Sequence, residues 1–261
     1  MELQAGLDYS GKVVLVTGGT QGIGAGIAAG FLAANAQVIV CARREPERLP
    51  SVAGNSASFI SADVRDQDSL QHLFSTIERD FGRLDVLVNN AGGSPSAEAA
   101  TASPRFHESI IALNLIAPLN VAQRANRLMQ AQAQGGCIVF IGSISALRSS
   151  PGTAAYGAAK AGVLALVQSL AVEWGPKVRV VTVSPGLVLT EKAHMHYVSD
   201  AGIAAAAAGI PAERLAVAED IANACLYIAS PLASYASGCN LLLHGGGERP
   251  AFLGAVQVLP T

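Results

Sequence analysis

The stretch KVVLVTGGTQGIG, residues 12–24, decides the fold of this 261-residue chain. Its first half is an apolar, β-branched run, which is typical of a strand that is buried on both faces. Its second half is a glycine-rich turn whose backbone can approach a ligand closely. The helix that follows presents free N–H groups, which attract phosphate. The stretch therefore predicts a strand, a phosphate-binding loop and a helix, in that order.

The same alternation of apolar runs and helical segments continues along the chain. Six further strands are predicted at residues 37–42, 57–64, 85–92, 136–144, 178–186 and 239–246. Five helices are predicted at residues 22–34, 67–81, 105–130, 153–174 and 218–230. Hydrophobic strands joined by helices predict a mostly parallel seven-stranded sheet with helices on both faces. We expect one doubly wound Rossmann-type α/β domain over residues 1–261, with its core at about 10–247.

Two segments interrupt this alternation, and both leave from the carboxyl ends of predicted strands. Residues 93–104 are small and polar and include two prolines, which predicts a loop after the fourth strand. Residues 187–217 form a long insertion after the sixth strand. Ligands of open α/β sheets bind beyond these strand ends. We therefore expect residues 187–217 to form a substrate lid.

The composition limits the classes of partner. The hydrophobic share of 51% supplies a sizeable core, and a net charge of −2 without a Lys/Arg block argues against nucleic acid or a membrane surface as partners. The four cysteines form no Cys-x-x-Cys pair, which is typical of free thiols in a reducing cytoplasm. No signal-peptide pattern and no uncharged apolar run of bilayer length is present. We expect a cytoplasmic protein without a metal site.

A second informative stretch is SPGTAAYGAAKAG, residues 150–162. Four-residue spacing on a helix places Tyr156 and Lys160 on the same face. A nearby ammonium lowers the pKa of a phenol, so a tyrosine in this position can exchange a proton with a substrate near neutral pH. An isolated pair of this kind also occurs as plain surface decoration, so motifs elsewhere in the chain must decide between the two interpretations.

The residues after the second strand bear on the choice of nucleotide. In this fold class an acidic residue at that point holds a ribose 2′-hydroxyl, whereas a 2′-phosphate requires arginine. Here Cys41 and Ala42 are followed by Arg43 and Arg44, with no carboxylate at the expected position. Either Arg43 binds a 2′-phosphate, with Arg44 in reserve, or both arginines are simply solvated. We predict NADP(H) as the preferred cofactor and NAD(H) as the alternative.

Taken together, the motifs resemble those of the short-chain dehydrogenase/reductase family over about residues 10–247. The matching motifs are TGGTQGIG at 17–24, ADV at 62–64, NNAG at 89–92, LNL at 113–115, IGSIS at 141–145, YGAAK at 156–160 and SPGLVLT at 184–190. The resemblance implies an NAD(P)(H)-dependent oxidoreductase. Such an enzyme transfers a hydride between a nicotinamide cofactor and a carbonyl or secondary alcohol.

The resemblance also implies a catalytic tetrad of Asn114, Ser143, Tyr156 and Lys160. Tyr156 would donate a proton to the substrate carbonyl oxygen, which Ser143 would polarise. Lys160 would lower the pKa of Tyr156 and hold the nicotinamide ribose. Asn114 would hold a water molecule that connects Lys160 to solvent.

The implied cofactor contacts run from the phosphate loop to the end of the sixth strand. They are Gly18, Thr20, Gln21, Gly22, Ile23, Gly24, Arg43, Arg44, Asp63, Val64, Asn90, Ala91, Gly92, Tyr156, Lys160, Pro185, Gly186, Val188 and Thr190. Asp63 either accepts a hydrogen bond from the adenine amino group or forms a turn. Gln21 departs from the Lys or Arg of many NADP(H)-using relatives, and His244 replaces an acidic residue of the family's last motif.

The sequence leaves several substrates open. The candidate pocket is mostly small and apolar and comprises residues 93–96, Ala146, Leu147, Arg148, Leu187 and the lid residues His194, Met195, His196 and Tyr197. This favours NADPH-dependent reduction of a 3-oxoacyl thioester or a hydrophobic, steroid-like ring ketone, with Arg148 and Lys192 available for an acidic handle. The alternatives are an NAD-dependent secondary-alcohol dehydrogenase and a catalytically idle NADP(H)-binding sensor or scaffold. Relatives assemble through the helices at 105–130 and 153–174, so a homo-oligomer, either a tetramer or a dimer, is expected.

Overall fold

The computed structural model describes residues 7–191, 199–250 and 252. Its strands are β1 Val13–Thr17, β2 Gln37–Ala42, β3 Ser51–Val52, β4 Asn55–Ser56, β5 Ser58–Ser61, β6 Val86–Asn89, β7 Gly136–Ile141, β8 Val178–Pro185 and β9 Asn240–Leu243. Seven of them form a parallel sheet in the order β5-β2-β1-β6-β7-β8-β9, while β3 and β4 form a short antiparallel hairpin. The predicted α/β fold class is confirmed. The strand order reverses between β1 and β6, and a ligand crevice opens at such a point.

The described residues form seven α-helices, which include those that cover the two faces of this sheet. They are α1 Gly22–Ala33, α2 Gln67–Phe81, α3 Pro104–Ile111, α4 Ala117–Ala131, α5 Ala154–Trp174, α6 Asp200–Ala208 and α7 Ala218–Ala229. Alternate side chains of β1 enter opposite layers: Val14 and Val16 pack with α1 and α7, whereas Val13 and Leu15 pack with α2, α4 and α5. The period of two explains why the buried strands have no polar face.

Helix α5 has a mean hydropathy of 1.4 and is long and apolar enough to cross a membrane. Core helices of other folds pass the same test, and α5 contributes Val163, Val167 and Leu170 to the layer beneath the sheet. It contacts β8 along its length. In this structure α5 therefore packs against the sheet as part of the core.

The predicted helix at 105–130 is interrupted by a π-helical turn, Ala112–Ile116, between α3 and α4. The sequence contains the reason four residues after Asn114. Pro118 has no N–H to donate to the carbonyl of Asn114, so the regular α-helical pattern cannot continue there. The turn therefore redirects the backbone at a residue that the sequence had assigned to the active site.

Two further boundaries differ from the prediction. The strand predicted at 239–246 ends at Leu243, because Gly245, Gly246 and Gly247 have φ values of +63°, +99° and +89° and turn the chain. The insertion at 187–217 contains helix α6, whose N-terminus is capped by the Ser199 hydroxyl accepting from the N–H of Gly202. Both differences lie at the carboxyl edge of the sheet, where the site is built.

Candidate active site

The loop between β1 and α1 requires glycine, for its backbone conformation at two positions and for close packing at a third. Gly18 and Gly22 have φ values of +63° and +54°, which only glycine adopts readily. A Cβ on Gly24 would overlap the carbonyl of Gly18 and the amide of Asn90. Gln21, at the N-cap of α1, makes no side-chain capping bond, and the first turn of α1 has no acidic residue. The N–H groups of this turn therefore suit an anion.

The neighbouring strand β6 locks this loop in place. The Asn90 side chain donates to the carbonyl oxygens of Thr17 and Gly18, at 2.9 and 3.2 Å. In return, the Thr17 hydroxyl accepts from the backbone N–H groups of Asn90 and Ala91, both at 3.0 Å. The sequence prediction included Asn90 and Ala91 but missed Thr17, although this threonine opens the TGG motif that it used. Among the other predicted loop residues, Thr20 is half-buried and Ile23 packs against the core.

The two arginines after β2 lie on the surface. Arg43 and Arg44 are both exposed, and the positive charge of Arg43 contributes to lowering the pKa of Asp63. Arg43 therefore lies near the end of β5, on the side of the crevice where the adenine half of a dinucleotide is expected.

Asp63 and the buried Val64 follow β5, and Asp63 has a partner that the sequence did not reveal. Its carboxylate accepts from Arg65 through the backbone N–H, Nε and Nη2, at 3.0, 3.1 and 2.8 Å. These bonds hold the pKa of Asp63 below its usual range. Asp63 thus forms a turn, and its Oδ2, which accepts only from Nη2 of Arg65, keeps a lone pair for a further donor. The spacing Asp-x-Arg after a strand was the available signal for Arg65.

Ser143 and Tyr156 meet where β7 and α5 approach each other. Ser143 is the N-cap of a short 3₁₀ turn, Ile144–Ala146, and its hydroxyl accepts from the N–H of Ser145 at 3.1 Å. Burial raises the pKa of Tyr156, and a hydrogen bond with Ser143 lowers it by less. The phenol therefore keeps its proton at neutral pH. The structure brings together the two residues that the sequence predicted to face the substrate oxygen.

Lys160 lies one helical turn further along α5 and is only 5% exposed. Its Nζ donates to the carbonyl of Ile141 at 2.7 Å and lies 5.6 Å from the centre of the Tyr156 ring. Burial lowers the pKa of Lys160 to about 8. The expectation that Lys160 lowers the pKa of Tyr156 stays a prediction.

Asn114 lies in the π-helical turn and is fully buried. Its Nδ2 donates to the carbonyls of Gly93 and Ile110, both at 2.9 Å, and its Oδ1 accepts from the N–H of Gly93 at 2.8 Å. A Cβ on Gly92 would lie 2.7 Å from this Oδ1 and 3.6 Å from Nζ of Lys160. Asn114 and Lys160 therefore converge on Gly92. Both amide hydrogens are used, so an ordered water would have to donate to an Asn114 oxygen.

The end of β8 brings the remaining predicted residues over the phosphate loop. The N–H of Gly186 donates to the carbonyl of Leu243 at 2.7 Å, which holds the half-buried Gly186 and the buried Pro185 before it against β9. Val188 pairs with Ala216 in an isolated parallel bridge. The methyl group of Thr190 would lie 3.7 Å from a Cβ on Gly22. The β8 end and the α1 end therefore face each other across the crevice.

A small cavity lies at this edge of the sheet, next to Ile144, the residue after the predicted catalytic serine. Its lining comprises Ile144, Gly186, Leu187, Ile210, His244, Gly247 and Glu248. Arg148, predicted as a pocket residue, pairs with Glu248 of this lining at 2.7 Å. The predicted lid residues Lys192, His194, Met195, His196 and Tyr197 lie outside the described residues.

Comparisons with known proteins cover nearly the whole chain. A family model described as Enoyl-(Acyl carrier protein) reductase matches residues 18–248. D-threitol dehydrogenase of Mycolicibacterium smegmatis is 35% identical over 254 residues, which are 94% of this chain and 96% of that protein. The 3-oxoacyl-(acyl-carrier-protein) reductase FabG of Escherichia coli is 33% identical over 243 residues, 92% of this chain and 98% of FabG.

A solved structure agrees with these matches. The crystal structure of a short-chain type dehydrogenase/reductase from Mycobacterium marinum has a TM-score of 0.87 and 29% sequence identity to this chain. The match covers 95% of this chain and 100% of that one. The likeness therefore includes the sheet, the phosphate loop and the segments that carry Ser143, Tyr156 and Lys160.

Proposed function

The chain belongs to the short-chain dehydrogenase/reductase family, and from that premise we propose that it reduces the carbonyl group of a small molecule with NADPH. It is an oxidoreductase of CH–OH groups. The observation that carries the proposal is the arrangement of Ser143, Tyr156 and Lys160 at the carboxyl edge of the sheet. A hydroxyl, a protonated phenol and a buried amine adjoin one another there, facing the crevice beside the phosphate loop.

NADPH fits the loop between β1 and α1, because the loop's close backbone packing and uncapped helix N-terminus suit a pyrophosphate. Gly18, Gly22 and Gly24 would hold the pyrophosphate, and the β8 end at Gly186 and Thr190 would lie against the nicotinamide. When bound, the cofactor supplies the hydride.

The protein's own residues handle the proton. Tyr156 keeps its proton at neutral pH because burial raises its pKa, so it donates to the substrate oxygen as charge develops there. Ser143 donates a hydrogen bond to the same oxygen and polarises the carbonyl. Lys160, with a pKa of about 8, restores the proton of Tyr156 near neutral pH. Asn114 holds the loop at Gly93 through two hydrogen bonds, and this positions the backbone next to Lys160.

The preference for NADPH rests on the end of β2. Arg43 and Arg44 follow that strand and no carboxylate takes the position that would hold a ribose 2′-hydroxyl. Both arginines are exposed, and Arg65 adds a third cation beside Asp63. NAD(H) use remains the competing expectation, since Gln21 supplies no second positive charge in the loop.

A fluorescence titration tests this preference. The purified protein is titrated with NADPH and with NADH, and reduced-nicotinamide fluorescence reports binding. We expect NADPH to bind at least ~10-fold more tightly, a difference of ~1.4 kcal/mol, and Arg43→Ala to remove most of it. Arg79→Ala is the matched control, because Arg79 is exposed on α2 and pairs with Asp80. Equal affinities in the wild type, unchanged by Arg43→Ala, would contradict the preference.

The relatives support two directions of hydride transfer. The name of FabG supports the predicted reduction of a 3-oxoacyl thioester, and the name of D-threitol dehydrogenase supports oxidation of an alcohol. Both reactions use the same proton donor and acceptor at Tyr156. Turnover of ketones with NADPH and of the matching alcohols with NADP⁺ and NAD⁺ separates them. An idle sensor or scaffold would bind the nucleotide and turn over none of these compounds.

We also propose a cytoplasmic homo-oligomer without nucleic-acid or membrane partners. Ile116 and Val172 are 47% and 84% exposed on the segments predicted to assemble, the π-helical turn before α4 and helix α5. Burying such apolar side chains stabilises a subunit interface. Sedimentation velocity at micromolar protein tests this: a tetramer or dimer is expected, and a monomer would contradict it.

A further inference from the structure

The segment after β9, residues 244–250, folds back over the cavity beside Ser143. The three left-handed glycines 245–247 produce this turn, and the N–H of Gly247 donates to the carbonyl of His244 at 3.0 Å. The segment is then tied to the residues that follow α6. Ala212 donates to Gly245 at 2.9 Å, and Arg249 donates to Gly209 at 3.0 Å. Residues 244–250 therefore form a fixed wall of the cavity.

The lining of the cavity combines two kinds of side chain. Ile144, Leu187 and Ile210 are apolar, and Ile144 directly follows Ser143, the predicted catalytic serine. His244 and Glu248 are polar. An organic molecule that reacts at Ser143 would thus meet apolar contacts along its carbon chain and two polar side chains beside it.

The Cβ of His244 is closely packed, whereas its imidazole nitrogens are not used in hydrogen bonds among the described residues. A Cβ on Gly186 would lie 2.9 Å from the Cβ of His244, and one on Gly247 would lie 3.4 Å from Nε2. Glycine at both positions lets the imidazole lie between two stretches of backbone. Within residues 7–191 and 199–250, neither ring nitrogen has a hydrogen-bond partner. A neutral imidazole can donate with one nitrogen and accept with the other.

The charges of this wall do not favour an anion. Arg148 pairs with Glu248 at 2.7 Å and donates to the carbonyl of Ser149 at 2.7 Å. The pair neutralises the arginine that the sequence had offered for an acidic substrate group. With Glu248 and Arg148 paired, this wall offers no net positive charge to an anion, and the carboxylate oxygens of Glu248 accept from a hydroxyl.

We propose that His244 and Glu248 recognise a hydroxyl group of the substrate. The substrate class is then a short hydroxylated ketone, or the corresponding diol, with a hydroxyl on a carbon next to or beyond the reacting one. This inference rests on the proposed hydride transfer at Ser143 and Tyr156. It assigns His244, whose departure from the family motif had no explanation in the sequence, to substrate recognition.

The test compares butane-2,3-diol with butan-2-ol as ligands of the NADPH-loaded protein. An alcohol cannot react with reduced cofactor, so binding is measured without turnover, through the change in NADPH fluorescence. We expect the diol to bind at least ~10-fold more tightly, because the monoalcohol leaves the polar wall unpaired. His244→Leu should bring the ratio close to one, and Glu248→Gln should lower it by less. His72→Leu, an exposed histidine on α2, is the matched control and should keep the wild-type ratio.

Two results would overturn the inference: equal binding of the two alcohols by the wild type, or a diol preference that persists in His244→Leu. His244→Asn, which keeps a donor and an acceptor, should retain part of the preference if the leucine variant folds poorly. Hydride transfer is followed separately, as reduced nicotinamide formed from NADP⁺ and the diol. Selective binding of the diol without hydride transfer would contradict the proposed function but support hydroxyl recognition by His244 and Glu248. Hydride transfer without selective binding would support the proposed function and contradict the hydroxyl recognition.

Discussion

Two ionisable side chains are buried at opposite edges of the sheet, Asp85 at the amino edge and Lys160 at the carboxyl edge. They are 6% and 5% exposed. Asp85 accepts from the N–H of Val13 at 2.9 Å, from Lys12 at 3.3 Å and from two nitrogens of Arg83. Lys160 has a carbonyl and an aromatic ring beside it but, among the described residues, no carboxylate partner.

This difference indicates that Asp85 stabilises the fold, whereas Lys160 takes part in the proposed proton transfer. A buried charge with several partners is stable in its ionised form, and removing it leaves those partners unpaired. A buried amine without a counter-ion has a lowered pKa, which suits proton exchange and costs stability. Variants at the carboxyl edge should therefore affect turnover, and variants at the amino edge should affect unfolding.

The largest effect is expected for Tyr156→Phe. The substitution removes the proton donor, so turnover of a ketone with NADPH should fall by about 10³-fold or more. The free energy of unfolding should change by less than about 1 kcal/mol, since the ring stays. Steady-state kinetics and urea unfolding measure the two quantities. A variant that keeps a tenth of wild-type turnover would show that another group donates the proton.

Asp85→Asn should have the largest effect on stability. It removes the negative charge from Lys12 and Arg83 and weakens acceptance from Val13, which should lower the free energy of unfolding by about 3 kcal/mol. Turnover per folded molecule should stay within about 2-fold of wild type, because Asp85 lies at the opposite edge. Asp80→Asn is the control, because Asp80 pairs with Arg79 on the surface. If the two substitutions lowered the free energy of unfolding equally, Asp85 would have no special role in stability, and the contrast between the two edges of the sheet would be wrong.

The pH dependence of reduction should report Lys160. Burial lowers the pKa of Lys160 to about 8, so its proton is present below that pH and is lost as pH rises through it. If Lys160 restores the proton of Tyr156, kcat for ketone reduction should fall about 10-fold per pH unit well above this value. Lys177→Met is the control. Lys177 is exposed and directly precedes β8, so its replacement should leave the pH profile of kcat unchanged. A flat profile up to pH 10 would exclude this role.

The sequence predicted the features that depend on local pattern. The strands of the main sheet, all but one of the helices that cover it and the phosphate loop follow from apolar runs, helical periodicity and glycine spacing, and the structure contains them. The family motifs also predicted Asn114, Ser143, Tyr156 and Lys160, and the structure brings these to the carboxyl edge. Each of these features depends on a short stretch of the chain.

The missed features depend on contacts between distant residues. Glu248 reaches Arg148 across 100 positions, and only the turn of the three glycines after β9 brings it there. The same turn places His244 beside Gly186, which no local pattern indicates. The lowered pKa of Lys160 follows from its burial under the sheet rather than from its spacing to Tyr156. The π-helical turn was within reach of the sequence, because Pro118 follows Asn114 by four residues.

Lys160→Met tests the central claim most directly, that the carboxyl edge holds an uncompensated charge for the sake of proton transfer. Unfolding free energy and ketone turnover are measured on the same preparation at pH 7. We expect turnover to fall by about 10²-fold or more and the free energy of unfolding to rise by about 1 kcal/mol, because the buried amine no longer has to be desolvated. A variant that unfolds more easily and still turns over ketone would contradict the account.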